Sequence, residues 1–147
     1  MAKKSGTCIT KIWGFEARTA LEIPLFTEGV SAGFPSPADD FIDKTLDLNE
    51  LLVTHPAATF FVRVEGTSMI EAGIHPGDIL IVDRAMEPKS GNVVIATLNG
   101  DFVVKRFRRS RGKSYLLAEN PAFTPIEITD TMHVEVWGVV TYVIHKA

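Results

Sequence analysis

The amino-acid sequence predicts a mainly β domain that contains one or two short helices and follows an extended N-terminal arm. After residue 58, short β-branched and aromatic runs alternate with turn residues, which is typical of antiparallel strands. Asn99-Gly100 separates two of these runs and favours a tight β-hairpin. Residues 1–40 are instead interrupted by glycine and proline and show no sustained strand or helix period. The 147 residues suffice for one domain with an appendage, but not for two domains.

The predicted elements follow one another along the chain. Within the arm, one short strand is expected near Leu21–Phe26. A short helix is predicted at Asp47–Val53, because its leucines share one stripe, and Pro56 stops it. About six further strands complete the set; they are expected at Phe60–Glu65, Asp78–Asp83, Asn92–Leu98, Asp101–Arg108, Tyr115–Ala118 and His133–Ile144.

Charge and cysteine content restrict the possible partners and location of the protein. The formal net charge of −3 gives no overall attraction to nucleic acid. Cys8 is the single cysteine, so nothing indicates an oxidising compartment. No apolar signal-peptide region and no stretch near the ~20 apolar residues of a membrane span is present. We therefore expect a cytoplasmic protein that does not associate with a membrane.

The first candidate for chemistry is a serine where a predicted strand ends. The strand ends at Gly66, and a short helical turn is expected to begin near Ser68. Backbone N–H groups at the start of such a turn lack intrahelical partners and can hold an oxyanion. The alternative interpretation is that Ser68 merely caps the turn with its side chain, as serines often do.

The second candidate is a lysine on a predicted strand. Because alternate side chains of a strand share a face, Lys105 lies on the same face as Val103 and Phe107. A lysine desolvated among apolar groups has a lowered pKa, and its neutral amine can take the proton of a serine hydroxyl. This is the Ser-Lys variant of a nucleophile–base pair. The alternative is a surface lysine whose ammonium extends into water.

Together these segments resemble the LexA/UmuD family of self-cleaving peptidases. The resemblance rests on Gly66-Thr67-Ser68-Met69, on Gly73-Ile74 followed by Pro76-Gly77-Asp78, and on the later strand lysine, Lys105. Upstream, Ala32-Gly33 is similar to the small-residue–Gly bond at which the family cuts itself. The UmuD branch looks closest, on the evidence of further segments over roughly residues 20–147: Gly33–Ala38, Asp47–Leu52, His55–Ala58 and Gly138–Val140. One departure is Ala32, where many UmuD proteins have cysteine.

The resemblance implies a fold, a site and a reaction. The fold would be the family's peptidase fold of twisted β-ribbons and small sheets. Residues 1–32 would be an arm removed by self-cleavage, and residues 33–147 a peptidase and dimerisation domain. Ser68 would be the nucleophile and Lys105 the general base. The backbone amides of Ser68 and Thr67 would form the oxyanion hole, the bond cut would be Ala32–Gly33, and no cofactor would be needed.

The resemblance also implies partners. Cleavage would be stimulated by the RecA–single-stranded DNA filament during the SOS response to DNA damage. The trimmed homodimer would serve a UmuC-like, Y-family translesion polymerase subunit. LexA-type repressors carry a helix-turn-helix domain before the cut, and the 32 residues that precede Gly33 are too few for one. We therefore expect no direct sequence-specific DNA binding.

Several alternatives stay open at this point. The chain could be a non-catalytic dimerisation and docking module, or a truncated LexA-like regulator. Membrane signal peptidases share a Ser-Met motif and a lysine base but need a membrane anchor. The basic run Lys105–Lys113 is either a nucleic-acid patch or a solvated hairpin tip. The four histidines, His55, His75, His133 and His145, show no ligand-like spacing, so no metal site is predicted.

Overall fold

The computed structural model of the protein describes residues 6–16, 22–26 and 42–147. The predicted cut at Ala32–Gly33, and with it the boundary between arm and domain, lies outside the described residues. The strands are β1 (Cys8–Gly14), β2 (Glu22–Phe26), β3 (Ile42–Asp47), β4 (Thr59–Glu65), β5 (Ile79–Asp83), β6 (Val93–Leu98), β7 (Asp101–Ser110), β8 (Lys113–Leu117), β9 (Ile126–Glu127) and β10 (Val134–Ile144). One α-helix, α1 (Leu48–Leu52), and two short 3₁₀ turns, Pro56–Ala58 and Ile70–Ala72, accompany them.

The strands form one large antiparallel sheet and one small one. Eight strands follow the order β1-β4-β5-β10-β6-β7-β8-β9, and β2 pairs with β3 in a separate two-stranded sheet. The mainly β prediction is confirmed, as are the short helix after Asp47 and the arm strand that ends at Phe26. Among the described residues, no helix has the length and apolar character needed to cross a membrane.

Two tight turns fix the hairpins that carry Lys105. Asn99 and Gly100 both have positive φ, 49° and 90°, as the turn between β6 and β7 requires. Arg111 and Gly112 have the same combination, 51° and 75°, between β7 and β8. Side chains from Arg108 to Lys113 are exposed, so this part of the basic run is a solvated hairpin tip.

The sheet buries two apolar clusters, one on each side of its curved surface. The first contains Met69, Leu80 and Val104, all at most 1% exposed. The second is built around Phe107 and Leu116. Val104 and Phe107, three positions apart on β7, therefore contribute to different clusters, because successive side chains of a strand point to opposite faces.

Gly138 in β10 has no room for a side chain. A Cβ built there would lie 2.5 Å from Val82 Cγ1 and 3.3 Å from Arg84 Cγ. We expect Gly138→Ala to lower the free energy of unfolding by about 1–3 kcal/mol, the usual cost of overpacking a core, as measured by urea denaturation. Gly14→Ala is the control, because a Cβ there meets nothing within 4 Å. Equal stability of the two variants would contradict the prediction.

Three strands were not predicted from the sequence: β1, β3 and β9. The case of β1 has a clear cause, because its register against β4 shifts between Ile9 and Lys11. Such a bulge breaks the two-residue alternation by which a strand is recognised in a sequence.

Candidate active site around Ser68

Ser68 lies in a tight turn between β4 and the 3₁₀ turn at Ile70–Ala72. Gly66 ends the strand with a φ of +98°, and Met69 inserts its fully buried side chain into the first apolar cluster. The cap of the 3₁₀ turn is Met69, and it makes no side-chain capping hydrogen bond. The interpretation of Ser68 as a helix cap is therefore wrong, and its fully buried hydroxyl is engaged elsewhere.

The backbone of this turn has two amides available for an oxyanion. Within the part of the chain that the structure describes, the N–H groups of Thr67 and Ser68 donate to no protein acceptor. The Thr67 carbonyl is held in place by Ile70 N at 3.2 Å and Asn120 Nδ2 at 3.0 Å. A fixed peptide with free N–H groups is the arrangement that an oxyanion hole needs. The role of these amides stays a prediction.

The hydroxyl of Ser68 binds the N-terminal arm. Thr7 N–H donates to Ser68 Oγ at 2.8 Å, and Ser68 Oγ–H donates to Thr7 Oγ1 at 2.8 Å. Both side chains are buried. A Cβ on Gly66 would lie 2.2 Å from the Gly6 carbonyl oxygen, so only glycine allows the arm to approach this closely. The segment Gly6–Thr7 therefore covers the predicted nucleophile.

Pairing and aromatic contacts hold the arm on the domain. β1 lies along the free edge of β4, and the Phe15 ring packs on Phe61 with centroids 6.0 Å apart. Trp13 lies close to two cations, Lys11 Nζ at 4.8 Å and the Arg63 guanidinium carbon at 5.6 Å. Each such contact stabilises an exposed site by about 0.5–1 kcal/mol. The arm residues Trp13 and Phe15 thus anchor the strand.

Lys105 is buried in the middle of β7. Its side chain is 9% exposed, which excludes the alternative of an ammonium extended into water. Burial lowers the pKa of Lys105 below its ordinary value of 10.5, because desolvation disfavours the charged form. Nζ lies 5.6 Å from the centroid of the Phe123 ring, and it forms no hydrogen bond or ion pair with any described residue.

One connecting segment contacts both candidates. Residues 119–123 follow β8, and the Glu119 carbonyl accepts a hydrogen bond from Glu71 N at 2.8 Å, just after the Ser68 turn. Asn120 binds the Thr67 carbonyl, and Phe123 lies against Lys105. The Ser68 turn and Lys105 thus both contact this segment. In the described conformation no hydrogen bond joins them directly, because Ser68 is paired with Thr7.

The fold also gathers His75, Asp78 and His145, whose possible ligand atoms all lie within 4.8 Å of one another. The sequence offered little sign of this cluster. His75 and Asp78 are three residues apart, but His145 follows only at the end of β10, which the pairing of β5 with β10 brings alongside.

Comparison with known proteins places this site in a family. The profile of the family described as Peptidase S24-like matches residues 24–141. Protein SamA of Salmonella typhimurium strain LT2 is 47% identical over 123 residues, which cover 84% of this chain and 85% of SamA. Protein MucA of Escherichia coli is 43% identical over 121 residues, 82% of each chain. LexA repressor 1 of Pseudomonas syringae pv. tomato is 40% identical over 119 residues, 80% of this chain and 58% of the repressor.

The matched range 24–141 contains both candidate residues, Ser68 and Lys105, together with the predicted cut. SamA and MucA align over more than four fifths of their own lengths, which the repressor does not. This coverage confirms the resemblance to the LexA/UmuD family that the sequence motifs indicated. The chain belongs to the S24-like peptidase family and to its UmuD-like members.

Proposed function

We propose that this protein is a self-cleaving serine peptidase that cuts its own Ala32–Gly33 bond with Ser68 and Lys105. The observation that carries the proposal is the buried Lys105, whose lowered pKa suits a general base. Lys105 lies on β7 of the large sheet, against Phe123. Asn120 of the same segment binds the Ser68 turn. A surface lysine would stay protonated at neutral pH and would not act as a base.

The reaction follows from these groups. Neutral Lys105 Nζ takes the Ser68 hydroxyl proton while Oγ bonds to the carbonyl carbon of Ala32. The Thr67 and Ser68 amides hold the oxyanion of the tetrahedral intermediate. The C–N bond to Gly33 then breaks, and the new amine receives the proton from Lys105. Water, deprotonated by Lys105, hydrolyses the ester, which frees Ser68 and leaves a carboxylate on Ala32. Because the substrate is tethered, a modest catalyst suffices.

The arm has to leave Ser68 before this reaction starts. Ser68 is fully buried, and its hydroxyl is bonded to Thr7 in both directions. The Ala32 carbonyl cannot reach Oγ while Gly6–Thr7 occupies that position. The described conformation is therefore the resting form, and cleavage requires an opening of the contact between β1 and β4 at its Cys8 end.

The proposal extends to the trigger and the partner. We propose that the RecA–single-stranded DNA filament stimulates the cleavage in the cytoplasm. The trimmed residues 33–147 would then act as a homodimer with a Y-family translesion polymerase subunit. The similarity to SamA and MucA over most of both chains supports this part.

Substitution of the nucleophile tests the reaction. The parent chain incubated with RecA, single-stranded DNA and a nucleotide should yield a fragment that begins at Gly33. Ser68→Ala should yield none, since removal of the nucleophile lowers such rates by about 10⁴-fold or more. Mass spectrometry of the termini reads the outcome. A parallel sample at alkaline pH without the filament tests the intrinsic activity.

A matched control is Ser90→Ala, a change at an exposed serine of the turn before β6, which should cleave like the parent. The absence of a cut in the parent under both conditions would refute the peptidase proposal. That result would favour the alternative function of a non-catalytic dimerisation and docking module.

A further inference from the structure

The cluster of His75, Asp78 and His145 lies at the end of the sheet where the loop before β5 meets the end of β10. Asp78 immediately precedes β5, and His145 immediately follows β10. The Asp78 carboxylate is 3% exposed, whereas both imidazoles are about half exposed. A buried carboxylate flanked by two reachable imidazoles resembles a cation site more than a solvated charge cluster.

The existing bonds orient the carboxylate toward both rings. Asp78 Oδ2 accepts a hydrogen bond from the His75 backbone N–H at 2.8 Å, which fixes the rotation of the carboxyl group. His145 Nδ1 lies 2.6 Å from Oδ1, and the two imidazole centroids are 4.7 Å apart. The possible ligand atoms of all three groups therefore lie within 4.8 Å of one another.

One nitrogen in this cluster has no partner among the described residues. His75 Nδ1 is shielded from solvent and makes no hydrogen bond, the one such side-chain atom found among the described residues. It lies 3.8 Å from Asp78 Oδ2, too far for a hydrogen bond. A buried polar atom without a partner destabilises the fold, and a ligand at this position would relieve that cost.

We propose that His75, Asp78 and His145 bind a divalent first-row transition metal of the zinc type. Two imidazole nitrogens and one carboxylate oxygen form a ligand set that suits zinc, cobalt or nickel. Ligands at 2.0–2.2 Å from a tetrahedral zinc lie about 3.3–3.6 Å apart. His75 Nδ1 and Asp78 Oδ2, which are 3.8 Å apart, would need to approach slightly, and His145 Nδ1 and Asp78 Oδ1, which are 2.6 Å apart, would need to separate. The metal would replace the hydrogen bond between His145 Nδ1 and Asp78 Oδ1.

Such a site would tie the end of β10 to the loop behind the nucleophile. Within this loop, Gly77 N donates to the Val64 carbonyl at 2.7 Å, and Ile74 N donates to the Met69 carbonyl at 3.2 Å. The same loop therefore contacts the residues on either side of Ser68. The metal would stabilise the fold around the Ser68 turn without contacting the reacting atoms, and it is inferred independently of self-cleavage.

Metal titration of the full-length Ser68→Ala protein tests the proposal, since this chain stays intact whether or not the parent is a peptidase. After treatment with a chelator and dialysis, isothermal titration with zinc should show one site per chain. Cobalt in its place should give the visible absorption of a metal bound to nitrogen and oxygen ligands. His145→Ala should weaken zinc binding by at least about 100-fold, with the fold intact because this residue is in the exposed tail.

His55→Ala is the matched control, because His55 also pairs with a buried carboxylate, that of Asp83 at 2.6 Å, but without a second imidazole. It should bind zinc like the parent. Zinc binding that is absent below about 100 μM, or that is equally strong in His145→Ala, would overturn the proposal. His75→Ala is a second, independent test. We expect it to lose zinc affinity and the cobalt absorption to the same extent as His145→Ala.

Discussion

Replacement of Lys105 by methionine should abolish self-cleavage at every pH. Methionine matches the length of the lysine stem and suits a side chain that is 9% exposed, but it cannot accept a proton. We expect the rate to fall by about 10⁴-fold or more, as when one member of a catalytic unit is removed. Lys105→Arg should be equally inactive, because a guanidinium does not lose its proton in this pH range.

The pH dependence of the parent follows from the same residue. Lys105 acts as a base only when it is neutral, so the rate of cleavage without the filament should rise about tenfold per pH unit below its pKa. Burial lowers that pKa, so the rate should level off before the ordinary value of 10.5 is reached. A rate that still rises through pH 10.5 would show that Lys105 is not desolvated in the reacting state.

Stability measurements separate catalysis from folding. A folded-state pKa below 10.5 means that the unfolded chain binds more protons between the two values, so stability should rise with pH in that window. Lys105→Met should lose this dependence, and at neutral pH it should be at least as stable as the parent. Lys89→Met, at an exposed lysine, is the control that should change neither the rate nor the stability. If Lys105→Met does not fold, Lys105→Arg and the pH profile of the parent test whether Lys105 is the general base.

Removal of the arm from Ser68 should accelerate cleavage. Deletion of residues 1–16 eliminates β1 and both bonds to the Ser68 hydroxyl while leaving the segment around Ala32–Gly33 in place. Several backbone and side-chain interactions are lost together, each with a net value of about 1 kcal/mol. We expect the rate without the filament to rise on the order of 100-fold or more, with a weaker stimulation by the filament.

A smaller change isolates the hydroxyl contact. Thr7→Val retains shape and the backbone N–H but removes the acceptor of the Ser68 proton, so a rise in rate of about 5–10-fold is expected. Thr10→Val is the control, because Thr10 is an exposed threonine of β1 whose hydroxyl makes only a long bond of 3.4 Å to the Arg63 carbonyl and does not contact Ser68. Time courses followed by gel electrophoresis suffice. Slower cleavage in Thr7→Val would mean that the arm assists the reaction instead of blocking it.

The sequence predicted most of the sheet, and it indicated Ser68 and Lys105, whose catalytic roles stay predictions. Patterns that depend on neighbouring residues were reliable: the Asn99-Gly100 hairpin, the apolar run of β5 and the alternation that puts Lys105 beside Val103. Each of these follows from turn chemistry or side-chain period within a few positions. The position of Ser68 just after a strand follows from the glycine at 66.

The contacts at Ser68 and at Asp78 that sequence reasoning missed depend on distant segments. The bond between Thr7 and Ser68 joins residues 61 positions apart, and His145 reaches Asp78 across 67 positions. No local pattern marks such partners. The bulge in β1 removed even the local signal for the strand that carries the arm to Ser68.

The small sheet has a consequence for the fate of the products. β2 and β3 pair antiparallel on either side of residues 27–41, so the bond after Ala32 lies between two hydrogen-bonded strands. Scission there would open the covalent chain but not the ladder, and β1 would still lie on β4. The two fragments would then stay associated after the cut, and residues 1–32 would dissociate in a separate step. The trimmed surface would become accessible to a partner only after this peptide is lost, and not at the moment of the cut.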